Sequence, residues 1–405
     1  MVTAVLPVVT GGGPRSEFEH EPEPSTAAPS SRLAGFVGMC AGCGALISLV
    51  LLLPLPAKFQ QLGVSPAEAV QYSYYTAAAV ALVVSACCFV GLRDLPGEDG
   101  KTWASLWTNM RTDSSLSNSR KYSYSSFKAR FPYLVQFGSA ITLGFRNRDI
   151  LIGYLGGFVA RASSVGISLF IPLFVNNYYR TSGLCHEQPT EGANPGDIKR
   201  SCPKAYVLAS ILTGVSQLMA LIAAPAFGYL SEKSRRYHFP LLIACLAGVA
   251  GYVMLALLPS PEFKGERGNP GIVVVMALVG VSQIGAIVCS LSVLSNGILS
   301  LINSVENTTS SSHVSSTVPE ADEQQPLLET NAGQFQRQPS TLKGSIAGVY
   351  SLFGGAGILL LTKLGGLLFD VVSSGAPFYI MAGFNGVLVI VGVVSGLVIY
   401  LRTNQ

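Results

Sequence analysis

The stretch GIVVVMALVGVSQIGAIVCSLSVLSNGILSLI, residues 271–302, contains no charged side chain. A helix that crosses a bilayer core of about 30 Å needs about twenty apolar residues, and this stretch exceeds that length. Comparable stretches recur, so that eight are present, at 33–57, 70–92, 150–175, 205–230, 239–258, 271–302, 344–369 and 376–401. They predict an all-α polytopic membrane protein with about eight transmembrane helices.

The composition excludes a soluble globular protein. Only 12% of the 405 residues are charged and 49% are apolar, whereas soluble domains carry about 25% charged residues. The net charge of +4 is small, and the basic residues lie between the apolar stretches, which argues against nucleic-acid binding. The partner that the composition predicts is the lipid bilayer.

Residue types that metal or acid–base chemistry requires are missing from the middle of the apolar stretches. All four histidines lie outside these stretches or at an edge, and no Asp or Glu lies at mid-depth. Metal sites and aspartyl-type active sites need such residues in clusters. The sequence therefore predicts a protein that is not an enzyme and that binds neither a metal nor an organic cofactor.

Basic residues assign the sides of the membrane. Segment 93–148 and the loop 231–238 are rich in Lys and Arg, and connections of this kind stay in the cytoplasm. An even number of spans then places both termini in the cytoplasm. The predicted domains are a disordered cytoplasmic tail at 1–32, two transmembrane helices at 33–92, a central cytoplasmic loop at 93–148 and a six-helix bundle at 149–405. The bundle includes a disordered cytoplasmic loop at 303–343.

Two cysteines lie on the other side of the membrane in this topology. Cys185 and Cys202 belong to one polar connection, 176–204, which faces outward or into a lumen. Oxidising compartments favour disulfides between such cysteines. The sequence therefore predicts a disulfide between Cys185 and Cys202.

A short motif in the loop 303–343 concerns the location of the protein. Glu323 lies four positions before the pair Leu327 and Leu328, which resembles the acidic dileucine signal that cytoplasmic sorting adaptors bind. A chance match is the alternative, because the motif is short. Use of the signal would place the protein in a vacuolar or endosomal membrane; the plasma membrane is the alternative location.

The hairpin after the fourth stretch carries the most specific motif, AFGYLSEKSRR, residues 226–236. It resembles the Gly-x-Leu-(Ser/Ala)-(Asp/Glu)-(Arg/Lys)-x-Gly-Arg-Arg signature of the major facilitator superfamily, in the copy between helices eight and nine, although the second glycine is missing. A generic basic hairpin is the alternative. The resemblance implies a gating motif made of Gly228, Glu232, Lys233, Arg235 and Arg236.

The resemblance also implies an architecture. The eight stretches correspond to helices five to twelve of the major facilitator fold, with a complete C-terminal six-helix bundle and a remnant of the N-terminal bundle. Segments 153–161 and 170–175 are similar in texture to fungal members. Helices one to four would be missing, so a truncated chain is expected.

Two functional expectations follow, because transport in this superfamily needs both bundles with the substrate between them. The first is a secondary transporter for an unidentified small molecule. The second is a membrane interaction or regulatory protein that derives from such a transporter and does not transport.

Polar residues inside the stretches are the candidates for substrate binding, since an ionisable group at membrane depth is costly and usually functional. Arg161 lies midway along the helix-seven equivalent, which lines the cavity in this superfamily. Asn296 and Tyr350 are the other substrate-binding candidates. A structural ion pair with a helix of the missing half, or a snorkelling side chain, is the alternative for Arg161.

The remaining intramembrane polar residues are expected to have structural roles. Three amides, Gln217, Gln283 and Asn385, are expected to join helices by hydrogen bonds. Lys363 has Asp370 seven residues further on, and we expect it to form a salt bridge in the outer leaflet or to snorkel.

Overall fold

The computed structural model describes residues 30–52, 55–91, 132–184, 203–234, 238–263, 268–313 and 338–403. These residues form helices, and no β-strand occurs among them. The helices are α1 Ser30–Ile47, α2 Leu55–Gln61, α3 Pro66–Gly91, α4 Pro132–Arg146, α5 Arg148–Val165, α6 Ile171–Thr181, α7 Pro203–Lys233, α8 Phe239–Leu257, α9 Gly271–His313, α10 Gln338–Leu360, α11 Gly366–Val371 and α12 Ala376–Thr403.

Three π-helical turns make some of these helices continuous. The turn Ser48–Leu52 extends α1, the turn Gly166–Phe170 joins α5 to α6, and the turn Leu361–Gly365 joins α10 to α11. The described part of the chain then has eight helices that are long and apolar enough to cross a membrane. The prediction of an all-α polytopic protein with eight spans is confirmed.

Several predicted boundaries differ from the observed ones. Helix α1 begins at Ser30, inside the tail predicted for 1–32, and α9 continues to His313, inside the loop predicted as disordered. Residues 303–313 contain neither Gly nor Pro, and extending a helix that is already formed is far easier than starting one. Helix α10 likewise begins at Gln338, before the predicted loop end, and α4 occupies part of the predicted central loop.

Helix α9 is the centre of the bundle. It packs against α1, α5, α7 and α8, and it is the most buried of the eight spans. Helix α12 packs on α8 and α5, while α10 packs on α5. Two apolar clusters form the core, one around Tyr154 and Val288, the other around Phe170, Tyr252 and Phe378. Helices α5 to α12 therefore form one bundle.

The two helices before the bundle behave differently. Helix α1 packs along α7 and α9. Helix α3 packs mainly on the short α2, and none of its most apolar 18-residue window is buried. Its exposed surface is apolar, including Leu82, Val83 and Phe89. Helix α1 is thus attached to the bundle, whereas α3 contributes nothing to its core.

The contact between α1 and α7 depends on two facing glycines. A Cβ atom added at Gly228 would lie 2.9 Å from the Cα of Gly35 and 3.2 Å from the carbonyl oxygen of Ser31. Because lipid supplies no hydrophobic drive for helix association, close backbone packing between small residues takes its place. The glycine pair therefore sets how closely α1 approaches the bundle.

Replacing Gly228 by Ala should lower the melting temperature of the purified protein in detergent. The new methyl group would meet backbone atoms of α1, which cannot move aside without moving the helix. Overpacking of this kind typically costs about 1–3 kcal/mol. Thermal unfolding followed by a fluorescent probe measures the change.

Gly44→Ala on α1 is the matched control, because nothing lies within 4 Å of a Cβ at that position. That variant should be neutral or slightly stabilised, since Ala is favoured over Gly in a helix by about 1 kcal/mol. Equal melting temperatures for the two variants would contradict the close contact.

Candidate functional site

An ion pair lies next to the glycine contact between α1 and α7. The Nε atom of Arg32 donates to Oε2 of Glu232 at 2.5 Å, and the two side chains are 55% and 24% exposed. Arg32 lies three residues before Gly35, and Glu232 four residues after Gly228, so each pair is separated by one helical turn. Backbone packing and charge thus join α1 to the end of α7 at one place.

The loop between α7 and α8 is also held to two other helices. Nε2 of His238 lies 3.2 Å from Oδ1 of Asp149, which ties the start of α8 to the start of α5. The Ser231 hydroxyl donates to the Ser292 hydroxyl at 2.9 Å, which ties α7 to α9. His238 has a left-handed backbone with φ 49°, a conformation in which histidine is enriched among non-glycine residues. The predicted gating hairpin is therefore attached to α1, α5 and α9.

Asn296 lies beside this hairpin. With Asp149, Ser231 and His238 it lines a cavity of about 30 Å³, which holds a water molecule or two and nothing larger. Asn296 is six residues beyond Ser290 on α9, about 9 Å along the helix axis. The structure thus places Asn296 at the hairpin end of the bundle.

Arg161 and Tyr350 lie together. The aliphatic stem of Arg161 runs over Gly354, where a Cβ would lie 2.8 Å from its Cγ, and its charge acts on Tyr350. Tyr350 is buried, and its hydroxyl lies 3.3 Å from the Ser290 hydroxyl. Arg161 itself is exposed. The structure thus brings together two of the three predicted substrate-binding residues, and not the third, Asn296.

Arg161 has no carboxylate partner in the part of the chain that the structure describes. The described carboxylates that lie within salt-bridge distance of a basic side chain are Glu232, next to Arg32, and Asp149, next to the His238 ring. The alternative for Arg161, an ion pair with a helix of the half expected to be missing, is not tested by these residues and stays a prediction.

A chain of polar side chains crosses the bundle and ends at Ser164, three residues after Arg161 on α5. Nε2 of Gln217 donates to Oε1 of Gln283 at 3.3 Å, and Nε2 of Gln283 donates to the Ser164 hydroxyl at 3.2 Å. A second link joins α9 to α12, since the Ser282 hydroxyl donates to Oδ1 of Asn385 at 3.3 Å. The prediction that the amides join helices is confirmed.

Ser164 is the site residue that sequence reasoning missed. Serine is common in these apolar stretches, and nothing in its neighbours marks this one. The only available signal was its position three residues after Arg161, on the same side of the helix. Its pairing with Gln283 becomes visible only when α5 and α9 are packed together.

The remaining predicted residues divide into two groups. Lys363 lies exposed in the last π-helical turn and forms no ion pair with Asp370, so snorkelling stays a prediction. Lys233 is also exposed. The other predicted residues lie outside the described part of the chain: Cys185, Cys202, Arg235, Arg236, Glu323, Leu327 and Leu328.

Exchanging the charges of Arg32 and Glu232 tests the link between α1 and α7. Each single variant, Arg32→Glu or Glu232→Arg, should lower the melting temperature, because like charges then face each other; the double exchange should restore most of the loss. The coupling is expected to be modest, about 0.2–1 kcal/mol, because both side chains are partly exposed. If the decrease in melting temperature of the double variant equals the sum of the two single decreases, the ion pair does not form in the folded protein.

Comparison with known protein families identifies the family of the chain. The sequence model of the Major Facilitator Superfamily matches residues 27–310, which is more than two thirds of the chain. No curated protein matches the chain. The matched segment includes the α1–α7 contact, the hairpin, Arg161 and the amides of α7 and α9. The chain therefore belongs to the major facilitator superfamily, a family of membrane transporters.

Proposed function

We propose that the chain acts as a secondary transporter for a small solute that binds at Arg161 and Tyr350. The observation that carries the proposal is the unpaired charge of Arg161. A charged side chain at membrane depth costs several kcal/mol unless it is paired or hydrated. Exposed Arg161 has no described carboxylate to pair with, so a bound solute is the group that its charge can recruit.

The hairpin after α7 serves as the gate in this proposal. Its attachment to α1 combines the Gly35–Gly228 contact with the Arg32–Glu232 ion pair, and moving α1 away from α7 would open that end of the bundle. Lys233, Arg235 and Arg236 complete the gating motif. The small cavity next to Asn296 has no room for a solute. The proposed role of Asn296 is therefore to hold the hairpin in place.

A membrane interaction or regulatory protein without transport is the second candidate. The observation that favours it is α3, whose apolar surface stays open while every other span is at least partly buried. Another membrane chain could lie against such a helix. Transport measurements separate the two candidates.

Uptake into vesicles tests the proposed transport and the role of Arg161. We expect vesicles with the wild-type chain to accumulate at least one solute from a mixture of small metabolites, detected by mass spectrometry against empty vesicles. Arg161→Gln should reduce that accumulation about tenfold or more, since a charge-assisted hydrogen bond contributes about 1.5–3 kcal/mol.

Lys363→Gln is the control for this test, because it removes another exposed intramembrane cation that has no described partner. It should leave accumulation unchanged. Uptake that survives Arg161→Gln would remove Arg161 from the site. No accumulation by the wild-type chain would favour the candidate function without transport.

Location in a vacuolar or endosomal membrane is a further part of the proposal, and it rests on the resemblance of Glu323, Leu327 and Leu328 to a dileucine sorting signal. The similarity of two segments to fungal transporters makes yeast the host for a test. Changing Leu327 and Leu328 to Ala should move a fluorescent fusion toward the cell surface. Gln324→Ala with Gln325→Ala, inside the same motif, is the control, and an unchanged location for the leucine variant would dismiss the signal.

A further inference from the structure

We infer that the solute is a small organic carboxylate that also carries hydroxyl or carbonyl groups. Its carboxylate binds Arg161, and its other polar groups bind the amide chain formed by Ser164, Gln283 and Gln217. The inference rests on the proposed function, because it describes the solute that this bundle moves. It adds binding residues on α5, α7 and α9 and a chemical class.

The charge of the solute follows from the surroundings of Arg161. Asp149 is the only acidic residue on α5, and it lies 12 residues before Arg161, about 18 Å along the helix. Asp149 also bonds to His238. A guanidinium group binds a carboxylate through two parallel hydrogen bonds. Arg161, which has no carboxylate partner among the described residues, can therefore bind one carboxylate group of a solute in this way.

The polar part of the solute follows from Ser164. Residues three apart on a helix are neighbours, with Cβ atoms about 5–6 Å apart, so Ser164 lies beside Arg161. From Ser164 the hydrogen bonds continue to Gln283 and then to Gln217. A solute that binds Arg161 therefore lies next to a row of hydrogen-bonding groups from three helices.

These groups have hydrogen-bonding capacity that the described residues do not use. A glutamine side chain offers two N–H donors and a carbonyl acceptor. The observed bonds use one donor of each glutamine and the carbonyl of Gln283, which leaves the Gln217 carbonyl and one donor on each amide. The buried Thr213 hydroxyl, one turn before Gln217, has no hydrogen-bond partner among the described residues.

A buried hydroxyl without a partner, such as that of Thr213, costs about 1–3 kcal/mol, and the spare donors and acceptor of the two amides can bind a ligand as well. A solute with hydroxyl or carbonyl groups would supply the missing partners. An apolar acid would not, and a cation would be repelled by Arg161. The combination of one cation with amides that keep spare donors and an acceptor thus favours a polar carboxylate.

Ligand-dependent thermal unfolding of the purified full chain in detergent tests the inference. The probes are glycerate and gluconate, which carry a carboxylate and hydroxyls, propionate, which has only the carboxylate, and sorbitol, which has only the hydroxyls. A ligand that binds the folded protein raises its melting temperature. We expect glycerate or gluconate to bind about tenfold or more tightly than propionate, and sorbitol to have no effect.

Single substitutions test the arginine and the amide chain separately. Arg161→Gln should abolish the response to every carboxylate, whereas Lys363→Gln should change nothing. Gln283→Leu should weaken hydroxy-acid binding toward the level of propionate and leave propionate unaffected. Because Gln283 is buried and its variant could fail to fold, Gln217→Leu at the half-buried end of the chain gives the same test.

The outcomes are distinct from those that test transport. A response to sorbitol as large as that to glycerate, a lack of response to all the carboxylates, or an equal loss in Lys363→Gln would overturn the inference. A chain that binds glycerate but accumulates no solute in vesicles would refute the proposed function alone. A chain that accumulates only cations or uncharged solutes would refute the inference and leave transport standing.

Discussion

Hydrocarbon offers no hydrogen-bond partner to a polar group, and the rest of the structure depends on that constraint. It makes every span helical, because a helix satisfies its backbone groups internally. Hydroxyl groups follow the same rule: Ser73, Ser164 and Thr362 donate to carbonyl oxygens one turn earlier. Some side-chain amides form hydrogen bonds between helices instead, as Gln217 and Gln283 do. Polar groups left unsatisfied then stand out as places for a ligand.

The same constraint shapes the way α1 is attached to the bundle. Without a hydrophobic drive between helices in lipid, the contact relies on close backbone approach at Gly35 and Gly228. The ion pair of Arg32 and Glu232 is partly exposed, and such pairs contribute little to stability. An attachment of this strength is compatible with the gating role that we propose for the hairpin. The bundle itself is held by buried apolar contacts, such as those around Tyr252 and Phe378.

Much of the fold was predictable because its main signal is local. Twenty apolar residues without a charge have few alternatives to a transmembrane helix, and all eight stretches became such helices. Helix ends were less predictable, since α9 continues through polar residues to His313 once its apolar part has formed. The turn at Gly166–Phe170 was not anticipated either. It precedes Pro172, and a proline can bend a helix or end it depending on what packs around it.

The sequence by itself determined the class of protein, the number of spans, the family motif of the hairpin and the presence of an arginine inside the membrane. Each of these depends on residues that are close in the chain. The tertiary structure alone decided which polar residues meet. It brought Tyr350 to Arg161 and Gln283 to Ser164, and placed Asn296 at the hairpin. Such neighbours come from different helices, and their register depends on packing that no single segment encodes.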